Sequence, residues 1–133
     1  MIARTAKPLS FRPRLVLAYA DSAHAALSGR HFRRLGWEVH LASTGAEARR
    51  LSQALAPSVV VLDTDLREES GWLTCAKLTL ERPGQRVVLL GNDLSERAHN
   101  FAAFVGAAAL VRRDAGTDAL VETVQGTALL EKC

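Results

Sequence analysis

Two kinds of segment alternate along the chain. Short apolar runs, rich in Val, Leu and Ala, occupy residues 14–20, 37–42, 59–63, 86–91 and 106–111. Runs of this length are too short for core helices, and their unbroken hydrophobicity is that of strands buried on both faces of a parallel sheet. The run at 37–42 differs: Val39 and Leu41 alternate with Glu38 and His40, which predicts an outer strand. Between the runs lie stretches of helical period, four of the five opened by a capping residue. Asp21 and Ser22 cap a helix with Leu27, Phe32 and Leu35 inward and Gly36 at its end. Thr44-Gly-Ala-Glu47 is a capping box, followed by Ala48, Leu51 and Leu55 on an inner face and closed by Pro57. A third helix runs from Gly71 to Leu80 and stops at Arg82-Pro-Gly84, a fourth follows Ser95 and carries Phe101, Phe104 and Val105, and the last follows Thr117 with Leu120, Val121, Val124 and Ala128. Five strands alternating with five helices predict an α/β domain with a doubly wound, five-stranded parallel sheet and right-handed crossovers.

Composition adds a boundary. At 133 residues, with 48% hydrophobic and 23% charged residues, the chain reads as one domain large enough to bury a core. The net charge of +3 is uneven: Arg4, Lys7, Arg12 and Arg14 give the first fourteen residues +4 and leave the rest about −1. Residues 1–13 therefore read as a basic, flexible, solubilising tail, and residues 14–131 as the domain. No basic stripe or helix-turn-helix follows, so no nucleic-acid partner is expected of the domain. The apolar run at 14–20 is too short for a signal peptide, and no run approaches a membrane span. Two cysteines, Cys75 and Cys133, make neither a disulfide framework nor a metal motif, which fits a reducing, cytoplasmic compartment. Cys75 reads as a core residue, and His24 and His31 as half-buried, hydrogen-bonded histidines.

Candidate chemistry gathers where the central run ends. Ser58-Val-Val-Val-Leu-Asp63 stops on a carboxylate, Asp65 follows, and a polar loop leads to Gly71. Ligands of open α/β sheets collect at the carboxyl ends of the strands, which is where Asp63 falls. Flavin or dinucleotide binding needs a Gly- or Thr-rich phosphate loop after the first strand, and Tyr19-Ala-Asp-Ser-Ala-His24 offers none. Asp21-Ser-Ala-His24 also lacks the Asp-x-His-x-x-Gly spacing of cobalamin-binding domains.

An Asp ending a buried strand, with Gly eight positions later and a helix after it, resembles the phosphoacceptor segment of CheY-like response-regulator receiver domains. Gly36-Trp-Glu-Val, Ala42-Ser-Thr-Gly-Ala-Glu47 and Gly106-Ala-Ala-Ala-Leu-Val111 fall at positions expected of that family. The resemblance runs from about Arg14 to Leu130 and implies a flavodoxin-like (CheY-like) fold. It also implies phosphoryl transfer from a phosphohistidine to Asp63, assisted by Mg2+. Against that pattern the chain departs at each supporting position. Tyr19 and Ala20 stand where the family has its metal-binding acids, with Asp21 one residue late and so turned to the other side. Gly91 replaces the switch Ser or Thr, Arg113 the Lys, Asp114 the following Pro, and Arg67 the Pro four residues after the acceptor. Arg113 keeps a positive, forked group able to pair with Asp63. Asp21, Asp65 and Asp93 are the remaining candidates for a metal, although Mg2+ tolerates displaced ligands poorly. The expectation is a degenerate (pseudo-) receiver, a protein-interaction module and not an enzyme. Its partners would be a histidine kinase, a downstream effector or a second copy, meeting a surface that includes Phe101, Phe104 and Leu110. The alternative is a working response regulator phosphorylated on Asp63.

Overall fold

The computed structural model describes residues 12–132, with side chains through 128. Most of the basic tail and Cys133 thus lie outside the described residues. Strands β1 (Arg14–Ala18), β2 (Glu38–Ala42), β3 (Val59–Asp63), β4 (Arg86–Gly91) and β5 (Ala109–Arg112) alternate with helices α1 (Ser22–Arg34), α2 (Gly45–Leu55), α3 (Gly71–Glu81), α4 (Glu96–Phe104) and α5 (Thr117–Lys132). All strand pairs are parallel, in the order β2-β1-β3-β4-β5. The alternating run β2 is an edge, as its half-polar pattern requires, and the continuous run β3 is central and buried along its whole length. Because the chain winds outward from β1 in both directions, the sheet has a switch point beside β1 and β3, at the edge where Asp63 ends its strand.

Side-chain alternation divides the core in two. Val16, Ala18, Val60, Leu62, Val87, Leu89 and Leu110 face α2, α3 and α4, where they meet Ala48, Cys75, Leu78, Ala98 and Ala102. Leu15, Leu17, Val59, Val61, Val88 and Leu90 face α1 and α5, against Ala25, Phe32, Leu120 and Val124. Cys75 is fully buried, and burial pushes its thiol up to about 12. A thiol held neutral there is a packing residue whose Sγ–H donates to the Val105 carbonyl.

Several caps act as their residue types dictate. Asp21 Oδ1 accepts from the Ala23 and His24 amides, Ser70 Oγ from Leu73, and Ser95 Oγ from Ala98. Thr44 Oγ1 accepts from the Glu47 amide, and Glu47 reaches back to the amide of Ser43, one residue earlier than a standard capping box.

Five sequence expectations are corrected. α1 does not bury Leu27 or Leu35, which are 59% and 48% exposed; it buries Ala25, Ser28, Gly29 and Phe32. The small residues Ala25, Ser28 and Gly29 bring the helix close to β2, where a Cβ on Gly29 would lie 3.3 Å from Leu41. β1 ends at Ala18, before 19–20, and β5 begins at Ala109, because Gly106 (φ +91°) turns the chain first. Thr117 is the first residue of α5 and not its cap. His24 and His31 are half-buried as expected, but neither ring hydrogen-bonds among the described residues; His24 instead meets Tyr19 edge-on, centroids 5.0 Å apart.

Candidate functional site

The carboxyl edge of the sheet collects its polar groups around one side chain. Asp63 is the last residue of β3 and is 4% exposed. Its Oδ1 accepts from Arg113 Nη2 at 2.5 Å and from the Asp65 amide at 2.9 Å, while Oδ2 accepts from the Ala20 amide at 3.1 Å. Three donors thus converge on one carboxylate, brought by the turn after β1, the turn after β3 and the turn after β5. Arg113 opens a short 3-10 turn, Arg113–Ala115, directly after β5, which aims its guanidinium back across the edge. The same Nη2 lies 3.1 Å from Asp65 Oδ2 and 3.5 Å from Thr64 Oγ1. The buried Nε–H has no acceptor among the described residues. The fork of Arg113 is therefore not used bidentately: one nitrogen makes every contact.

The remaining acidic candidates do other work. Asp21 is exposed and spends its carboxylate capping α1. Asp93 is exposed and accepts from the Ser95 amide, which holds its carboxyl below the usual range. Asp65, its side chain 69% exposed, touches the site only through Arg113 and its own amide. Tyr19 turns inward, 1% exposed, with its hydroxyl donating to Ser28 Oγ. Burial pushes its phenol up to about 12, the Ser28 bond opposing and the Asp63 charge adding to the shift. Ala20 offers an N–H and no side-chain oxygen.

These residues do not fit a divalent cation. A hard cation needs several oxygens with free lone pairs and room between them. Here both Asp63 oxygens already accept N–H groups, and a guanidinium stands between Asp63 and Asp65. Among the described residues no three His, Cys, Asp or Glu side chains converge on a common point.

The loop from Asp63 to α3 is held from several sides. Gly71 N–H donates to the Thr64 carbonyl, Thr44 and Arg67 form an isolated parallel bridge, and Glu68 takes a left-handed φ of +70°. Glu69 Oε2 accepts from Thr74 Oγ1 and Oε1 from Lys77 Nζ, both at 2.7 Å, with Arg49 at 3.8 Å. Burial works to raise the Glu69 carboxyl, yet these partners leave it below its ordinary value.

Thr64 and Glu69 were not singled out by sequence reasoning. The signal for Thr64 is relational: Asp63 pairs with Leu90, so Thr64 comes to lie over Gly91.

Of the three residues expected at a partner surface, two are exposed: Phe101 at 46% and Phe104 at 82%. They stack with centroids 6.2 Å apart, and Trp72 of α3 joins Phe101 at 5.1 Å. A shallow groove of about 260 Å³ beside Phe104 is lined by Ala76, Thr79 and Leu80. Leu110 is a correction: it is 8% exposed and points into the core, because the alternation of β5 turns it toward α4.

No protein-family model and no curated protein sequence matches the chain. Solved structures do. A CheY-like response regulator receiver domain protein from Methanospirillum hungatei JF-1 superposes with a TM-score of 0.85 at 19% identity, covering 92% of this chain and 98% of its own. The receiver domain of Francisella response regulator 1452 gives 0.84 at 19%, covering 90% and 99%. The signal receiver domain of the putative response regulator NarL from Mycobacterium tuberculosis gives 0.79 at 23%, covering 88% and 96%. The chain has the five-stranded, doubly wound fold of the CheY-like receiver domains.

Proposed function

We propose that this chain is a receiver-fold signalling module in which Asp63 is held in a standing ion pair. Partner docking, and not a metal-dependent phosphorylation cycle, then carries its signal. The observation behind this reading is that three donors engage both oxygens of Asp63, one of them a guanidinium. To attack a phosphoryl group, a carboxylate must present an oxygen to an incoming electrophile, with positive charge ready to take up what accumulates on the phosphate. The Asp63 side chain is 6% exposed and both its oxygens accept N–H groups. The nearby positive charge, Arg113, is already neutralised against Asp63 and Asp65. Attack would require Arg113 to leave, and nothing at positions 19 and 20 would then hold a metal in its place.

Docking has a physical basis in the Trp72–Phe101–Phe104 cluster, which with Leu80 (80% exposed) beside Phe104 makes an apolar surface across α3 and α4. The partner is a signalling protein, a histidine kinase or a downstream effector, or a second copy of the chain. The described helices include none long and apolar enough to cross a membrane. The buried free thiol of Cys75 fits the reducing cytoplasm.

Phosphoryl transfer itself is the test. Incubation with acetyl phosphate and Mg2+, followed by intact mass measurement, should leave the mass unchanged. A gain of one phosphoryl group that maps to Asp63 would overturn the reading in favour of a working response regulator.

A further inference from the structure

Thr64 and Gly91 form a pair that the site above does not explain by itself. Thr64 is 6% exposed, and its backbone is held on two sides: its N–H donates to the Leu90 carbonyl at 2.9 Å, and its carbonyl accepts from Gly71 N–H at 3.1 Å. With the backbone so held, the side chain has one direction to take, over β4. There it fills the place that a side chain at position 91 would occupy. A Cβ built on Gly91 would lie 2.9 Å from Thr64 Oγ1 and 3.2 Å from Thr64 Cγ2. Such contacts are closer than packed carbon and oxygen atoms tolerate. Gly91 has no positive φ among the described backbone angles, so the reason for glycine at this position is space and not conformation.

The other side of Thr64 bears on Arg113. Nη2 lies 3.5 Å from Thr64 Oγ1 while making its short contact to Asp63 Oδ1. The guanidinium therefore sits between a carboxylate pulling it and a buried hydroxyl bounding it. We infer that Thr64 is the positioning residue of the Asp63–Arg113 pair and that Gly91 is glycine to admit it, so that positions 64 and 91 act as one unit. This inference rests on the reading of the pair as a standing lock. It adds the element that sets the guanidinium in place.

The unit has a consequence for the site. Putting a side chain at 91 without removing Thr64 drives the threonine off its position and loosens Arg113. Putting one there after Thr64 is shortened costs nothing in space.

The test uses the whole chain and two readouts. In the wild type, 15N-detected side-chain NMR should show distinct, slowly exchanging guanidinium signals for Arg113. Thr64→Ala should keep the amide spectrum of the fold while exchange of those signals becomes about threefold faster, the loss of one long hydrogen bond and of the side chain that bounds the guanidinium. Thr64→Ser, which keeps the hydroxyl, should restore slow exchange. In urea melts, Gly91→Ala should lower the midpoint beside Thr64 and leave it unchanged or raised in the Thr64→Ala background. Unaltered Arg113 signals in folded Thr64→Ala, or an equal cost of Gly91→Ala in both backgrounds, would overturn the inference and leave the standing pair intact. Fast-averaged Arg113 signals in the wild type, or its phosphorylation on Asp63, would remove the lock and this inference with it.

Discussion

Arg113→Ala should destabilise the fold by about 2–3 kcal/mol, a drop of roughly 10 °C in melting temperature. Asp63 is 4% exposed in the wild type, and the substitution takes away the cation that faces it. Removing one partner of a well-buried pair costs about 3–5 kcal/mol. The lower figure applies because Asp63 keeps the Asp65 and Ala20 amides, and because the Arg113 side chain is 20% exposed. The unmet Nε–H of Arg113 also makes the wild-type pair less than ideal, which trims the loss further. Arg113→Lys should recover only part of it, since the lysine nitrogen lies one bond nearer the backbone than the Nη2 that touches both Asp63 and Asp65. Thermal and urea melts of the three proteins measure this directly. A change below about 0.5 kcal/mol would mean that the pair behaves as an ordinary surface salt bridge.

Gly71→Ala should be comparably damaging for a different reason, at about 3 kcal/mol, the upper end of the cost of overpacking. A Cβ at this position would lie 2.2 Å from the Asp63 carbonyl oxygen, 2.7 Å from its carbon and 2.8 Å from Thr64 Cα. All three are backbone atoms at the end of β3 and the turn that follows it, so no rotamer change makes room. α3 would have to lift away from β3, breaking the 3.1 Å bond from Gly71 N–H to the Thr64 carbonyl. The change should reach the site as well, because the Asp65 amide that donates to Asp63 belongs to the same loop. Denaturation together with the amide shifts of residues 63–71 checks both effects. A melt close to wild type would show that the loop can yield.

What the sequence revealed, and what it concealed, follow from the range of each interaction. Strands and most caps are local: the continuous run of β3, the half-polar alternation of β2 and the capping hydroxyls of Thr44 and Ser95 each depend on a few neighbouring residues. The inner face of α1 was misread because large residues attract attention, whereas a helix laid close on a sheet buries Ala25, Ser28 and Gly29 and leaves Leu27 outside. Leu110 was misread because β5 has only four residues, too few for alternation to declare its phase. The Asp63–Arg113 pair joins residues 50 apart, and no periodicity speaks to that; only the family resemblance set the two side by side. The Thr64–Gly91 fit lay further out of reach, since it appears only once the β3–β4 register is known.

The most direct measurement is the amide NMR spectrum of the chain alone, with Mg2+, and then with Mg2+ and beryllofluoride as a phosphoryl mimic. A site closed by Arg113 predicts an unmoved spectrum at residues 19–21, 63–65, 91 and 113 through both additions. Saturable shifts centred on Asp63 and spreading to Gly91 and Arg113 would contradict it, and would show that the ion pair opens to admit metal and phosphate.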